Sequence, residues 1–94
     1  MDSSFEWDER KNRQNEEKHG VSFEKAQKAF LDPDKLIIKD IFHSLDEKRW
    51  FCVGSIDTGI ITVRFTYRKG IIRILGAGYW RKLRKKYLKK KGII

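Results

Sequence analysis

After Asp57 the sequence contains no carboxylate. All 13 Asp and Glu lie between Asp2 and Asp57, whereas residues 58–94 carry twelve Lys or Arg. Residues 1–57 hold ten basic and 13 acidic side chains, net −3, so the formal charge of +9 arises entirely from a C-terminal part at +12. A polyanion is therefore expected to meet the C-terminal third of the chain. Cysteine is nearly absent as well: Cys52 stands alone, which excludes an intramolecular disulfide. Met1–Arg10 is charged throughout and unlike a signal peptide, so the expected setting is reducing and cytoplasmic. No apolar run approaches the roughly 20 residues that cross a bilayer. No repeat or low-complexity linker divides the chain, and 94 residues make a single domain, 1–94, with one modest core.

Several chemical signatures are missing too. There is no CxxC, no HExxH and no GxxxxGK(S/T) loop, which removes the basis for zinc, thiol-redox and nucleotide-hydrolysing readings. A two-metal nuclease needs clustered carboxylates, and the two most basic strands supply none. Neither a metal nor a cofactor is expected. If RNA or DNA is cut, the route is general acid–base chemistry with cations stabilising the charge that builds on phosphorus.

What is present is patterned. Phe5-Glu6-Trp7 reads as a short strand, and Asp8 as the N-cap of a helix over Glu9–Lys18 that contains no apolar residue. Gly20 follows its end, and His19 beside it is read as a cap for the last carbonyls. Ser22 caps a second helix, with Phe23, Ala26 and Phe30 on one face, which Asp32-Pro33-Asp34 ends. Four β-rich runs follow, Leu36–His43, Arg49–Ile56, Ile60–Tyr67 and Ile71–Leu75, joined by turn-forming segments into an antiparallel meander. Alternation puts Ile61, Val63, Phe65 and Tyr67 on a core face and Thr62, Arg64, Thr66 and Arg68 on a wet one. Gly76-Ala77-Gly78 is read as the break after the last strand. Tyr79–Lys91 forms a cationic helix whose apolar stripe is Trp80, Leu83, Tyr87 and Leu88. The expected class is α+β.

Candidate site residues come from this frame. His43 titrates near neutral pH, and Glu47 and Arg49 lie across a tight connection from it, so a base, an orienting carboxylate and a phosphate-binding cation converge there. The plainer alternative is a hydrogen-bonded turn. Arg64 and Arg73, mid-strand on neighbouring strands, form a phosphate fork; the alternative is an ordinary solvated sheet face. Arg68, Lys69, Arg81, Lys82 and Lys85 are expected to contact RNA, and Tyr79 to stack on a base. Tyr67 and Trp80 are assigned to the core, with base stacking as the alternative, and Cys52 to a buried apolar position.

Phe5-Glu6-Trp7-Asp8 with Lys11 and Asn15, the Lys18-His19-Gly20-Val21-x-Phe23-x-x-Ala26 run and Phe30-x-Asp32-Pro33 resemble the BrnT family of type II toxins. His43, Glu47-x-Arg49, Gly54, Arg64-Phe65-Thr66-Tyr67-Arg68 and Ile72-Arg73-Ile74 continue the pattern in order, so the resemblance covers about residues 5–87. It implies a RelE-like fold, β-α-α-β-β-β-β-α, and a ribonuclease that slows growth by cutting RNA. It also implies a BrnA-type antitoxin that holds the ribonuclease inactive in a hetero-oligomer. One segment departs. Many members carry Ser-Ala-Arg after the last strand and then a helix with a glutamate, where this chain has Gly76-Ala77-Gly78-Tyr79-Trp80 and no later acid. No role of those residues is carried over. The resulting expectation is a metal-independent endoribonuclease toxin. The rival readings are a basic module that binds RNA or ribosomes without cutting and, third, a protein anchored on an anionic membrane surface by Tyr79–Lys91.

Overall fold

The computed structural model describes residues 4–42 and 46–93. Strand β1 (Phe5–Glu6) leads into α1 (Glu9–His19) and α2 (Phe23–Ala26), which tightens into a 3-10 segment over Gln27–Leu31. Strands β2 (Leu36–Lys39), β3 (Arg49–Ile56), β4 (Gly59–Arg68) and β5 (Ile71–Gly78) follow, and then α3 (Arg81–Lys90). The class is α+β, with a mixed sheet of order β1-β5-β4-β3-β2. The four β-rich runs form the expected antiparallel meander, and β1 joins β5 in parallel through Phe5↔Ile72 and Glu6↔Arg73. At the β4–β5 hairpin, Lys69 (φ 53°) and Gly70 (φ 78°) both take left-handed conformations, as a two-residue turn between right-twisted strands requires.

One face of the sheet holds the main core. Cys52, Ile61, Val63, Phe65, Ile72, Ile74 and Ala77 pack under Val21, Phe23, Ala26 and Ala29. Burial pushes the Cys52 thiol up to about 12, so it behaves as a small hydrophobe, as expected. Gly54 is required by the 3-10 segment, since a Cβ there would come within 2.6 Å of the Ala29 carbonyl oxygen. Tyr67 departs from its core assignment. It touches Phe65 edge-on but is 55% exposed, because it lies near the hairpin end of β4, beyond the cover of the helices.

The other face is not uniformly wet. Thr62 and Val53 are buried there because α3 crosses the β3–β4 end of the sheet. Thr66 is buried with its hydroxyl donating to the Lys48 carbonyl at 2.6 Å. The strand break expected at Gly76-Ala77-Gly78 is absent: β5 continues to Gly78, paired as Arg64↔Gly76, Val63↔Ala77 and Thr62↔Gly78. Gly78 serves close approach. A Cβ on Gly78 would come 2.9 Å from the Trp80 ring, which lies over it. Trp80 is accordingly the N-cap of α3, partly buried, and the helix begins one residue later. His19 caps nothing: Gly20 (φ 74°) closes α1 through its own N–H to Glu16 O, and the imidazole packs edge-on to Trp80 at 5.7 Å. Strand β2 stops at Lys39 rather than reaching His43.

Two asparagines explain how α1 docks without an apolar stripe. The buried Asn12 accepts from Phe23 N at 2.7 Å and donates to Glu9 and Glu24. Asn15 donates to Val21 O (2.9 Å) and Ala77 O (3.0 Å) and accepts from Ala77 N (3.1 Å). Because β1 covers only Ile72 and Arg73, the outer edge of β5 at Ala77 has no neighbouring strand, and the Asn15 amide takes that strand's place.

Helix α3 is held by Tyr87, which is 2% exposed and donates its hydroxyl proton to Asp32 Oδ2. Asp32 also accepts from Ser55 N (2.7 Å) and Asp34 N (2.8 Å); burial opposes its charge, but these donors together hold its carboxyl below the ordinary value. Burial, and then the bond to Asp32, push the Tyr87 hydroxyl up to about 12. A proton held more tightly in the fold stabilises it fully below the unfolded value of about 10, and that contribution is lost as pH rises through 12. Thermal melts across this alkaline window should therefore show a decline in the wild type that is shallower in Tyr87→Phe. Parallel curves would remove the linkage.

Candidate functional site

The half of the second sheet face that α3 leaves open carries arginines from three adjacent strands. Register places Arg49, Thr66 and Arg73 side by side across β3, β4 and β5, and Arg64 two residues along β4 on the same face, between Phe51 and Gly76. With strands about 4.8 Å apart, Arg49 and Arg73 rise about 10 Å from one another over the buried Thr66. A shift in register between Arg64 and Phe65 leaves Leu75 without a partner on β4, and this bulge brings Gly76 opposite Arg64. Arg64 Nη2 lies 4.0 Å from where a Cβ on Gly76 would sit. A side chain here would reach into the space beside the guanidinium.

The electrostatics separate these cations. Arg73 pairs with Glu6 at 3.0 Å, through the parallel addition of β1. Arg68 grips Glu47 with two bonds, of 3.0 and 3.2 Å. That grip, reinforced by the fields of Arg68, Arg49 and Arg73, holds the Glu47 carboxyl below its ordinary value. Arg64 differs in that no ion pair engages it among the described residues; the side chain is half-buried, and its Nε is buried without a hydrogen-bond partner. Desolvating a cation without a counter-charge is costly, so such a group is poised for an anion.

The expected site residues are thus brought together in part. Arg49, Arg64 and Arg73 share one face, and Glu47 adjoins them through Arg68. His43 lies outside the described residues. Lys69 sits in the hairpin turn at the Arg68 end. Tyr79 lies at the opposite end, its hydroxyl 2.8 Å from Thr58 Oγ1 and its ring against Gly59, so it does not join the arginines. Arg81, Lys82 and Lys85 are exposed on α3. Thr66, Phe51 and Gly76 were not among the expected site residues; strand alternation and the register of β5 would have found them. Among the described residues no three His, Cys, Asp or Glu gather as metal ligands, and no helix is long and apolar enough to cross a membrane.

A small α+β scaffold with a half-buried, unpaired arginine on a cationic sheet face is of the kind that handles polyanions. A family model described as the ribonuclease toxin, BrnT, of type II toxin–antitoxin systems matches residues 7–83, and the chain belongs to this family. RNA as target and an antitoxin protein as partner come with that membership. The match runs from Trp7 to Leu83, so the lysine-rich remainder of α3 extends beyond it. A comparison with curated proteins finds no match.

Proposed function

We propose that the chain is a metal-independent endoribonuclease that cuts RNA on the open, arginine-bearing half of its sheet. The observation that carries this reading is Arg64, a half-buried arginine whose Nε is buried without a hydrogen-bond partner and which has no counter-charge among the described residues. The scissile phosphate supplies the missing anion. In the step proposed, the ribose 2′-oxygen attacks phosphorus as its proton passes to His43, the P–O5′ bond breaks, and the departing 5′-oxygen takes a proton from solvent water, giving a 2′,3′-cyclic phosphate and a 5′-hydroxyl. Arg49, Arg64 and Arg73 bind the phosphate and stabilise the charge that grows on its oxygens. Glu47, kept ionised by Arg68, orients rather than shuttles protons. The carboxylates beside this face, Glu6 and Glu47, are each occupied by an arginine, which favours acid–base over metal-ion chemistry.

Arg68 and Lys69 at one end, and Tyr79, Arg81, Lys82 and Lys85 at the other, extend the RNA path as proposed flanking contacts. A BrnA-type antitoxin with an acidic segment across the same cations would block the site in a hetero-oligomer, and a cytoplasmic setting follows from an RNA target. Incubation of the purified protein with a defined RNA in excess chelator tests the reading. Cuts ending in 2′,3′-cyclic phosphate should persist. Activity that vanishes on chelation would contradict metal independence, and intact RNA with salt-sensitive binding would make the chain a binding module instead.

A further inference from the structure

Helix α1 and the outer edge of β5 border an open cleft of about 240 Å³ lined by Lys11, Gln14, Asn15, Lys18, His19 and Leu75. We propose that this cleft is a second RNA subsite that receives one nucleotide flanking the scissile position, a proposal that rests on the RNA-binding reading of the arginine face. Lys11 and Lys18 meet the phosphates on either side of that nucleotide, and Leu75 with the His19 ring receives its base.

Four observations support this assignment. The helix residues lining the cleft recur at i, i+3/i+4 and i+7/i+8, which makes one stripe of α1, and the stripe holds no acid: Glu9, Glu16 and Glu17 lie off it. Neither Lys11 nor Lys18 is in an ion pair among the described residues, and both are exposed. They stand seven residues apart, about 10 Å along the axis, so they bracket the cleft instead of sharing one anion. Second, Leu75 is the bulge residue of β5, and the slip that leaves it unpaired accompanies its place in the cleft lining. Third, the His19 ring is held on edge by Trp80, which fixes an aromatic surface at the cleft wall. Fourth, the cleft adjoins the arginine face. A Cβ on Gly76 would lie 3.9 Å from Asn15 Oδ1, in the cleft wall, and 4.0 Å from Arg64 Nη2. Only the buried Gly76 stands between the cleft wall and the Arg64 guanidinium, so neighbouring nucleotides of one RNA strand can engage both. Its volume is below the roughly 300–1,000 Å³ of pockets that enclose a whole small ligand, which suits part of a strand rather than a free cofactor.

The test uses a single-stranded oligoribonucleotide with 2′-O-methyl riboses, which cannot be cleaved by 2′-oxygen attack, and fluorescence anisotropy over a range of salt. Lys11→Gln/Lys18→Gln should weaken binding and flatten the plot of log affinity against log salt by about 1.4, from two contacts at ~0.7 each on a single strand. Arg10→Gln/Arg13→Gln removes equal charge from the neighbouring groove lined by Arg10, Arg13, Gln14 and Glu17, and should leave that slope near wild type. Equal changes in both pairs, or an unchanged slope in the lysine pair, would overturn the subsite while the wild type still binds. Loss of antitoxin binding with RNA binding intact would give the cleft to the protein partner and overturn it as well. A wild type that does not bind RNA would bring down the broader functional reading along with it.

Discussion

Arg64→Ala should slow RNA cleavage at least about a hundredfold while leaving the fold intact, since removing one preorganised charged contact to a transition state typically costs that much. Arg64 makes no ion pair among the described residues and its Nε is buried without a partner, so the substitution breaks no native bond. Stability should hold or rise slightly, because a partly buried charge without a counter-ion is removed. The same substitution at Arg73 is less clean, since it releases Glu6 and loosens β1 from β5. Arg64→Lys should recover only part of the rate, as an ammonium lacks the planar fork of a guanidinium. Wild-type turnover in a folded Arg64→Ala protein would remove Arg64 from the site.

The largest expected effect on stability is at Asn15. Its amide makes three hydrogen bonds to backbone groups of Val21 and Ala77, two of them on the uncovered edge of β5. Asn15→Ala should strand these groups at a cost of about 1–3 kcal/mol each. In a domain of this size that lowers the melting temperature by at least about 10 °C. Asn15→Asp separates hydrogen bonding from packing: it keeps the shape and the acceptor for Ala77 N, but turns an oxygen toward the carbonyls of Val21 and Ala77. It should be destabilised as much as Asn15→Ala at neutral pH. A melt of either variant that coincides with wild type would show that α1 docks by other means.

The asparagines mark the limit of pattern reading in this chain. Alternation from Leu36 to Leu75 was enough to identify the meander, because apolar periodicity reports burial directly. The charge boundary at Asp57 located the cationic half, and alternation on β4 put Arg64 on the correct face. Helix α1 offered no such signal. It is tied down by Asn12 and Asn15, three residues apart among charged ones, and polar docking of this kind leaves no hydropathy trace. Gly76 and Gly78 were misread as breakers, since the pairing that carries β5 through them, and the Trp80 ring that explains Gly78, become visible only in the assembled sheet. The ion pairs that divide the arginines were equally hidden: Glu6 reaches Arg73 through a parallel strand 67 residues away in sequence, a contact no local pattern encodes. The resemblance to the BrnT family carried the RNA target and the antitoxin, which periodicity alone does not supply.

The most direct test of RNA on the arginine face is the side-chain Nε–H resonance of Arg64, followed by NMR as an uncleavable 2′-O-methyl oligoribonucleotide is added. The buried, unbonded Nε–H should shift strongly and its exchange with water should slow, as it gains the phosphate it lacks. Saturating RNA that leaves this resonance unmoved while perturbing only the exposed lysines of α3 would place the nucleic acid elsewhere and contradict the proposed site.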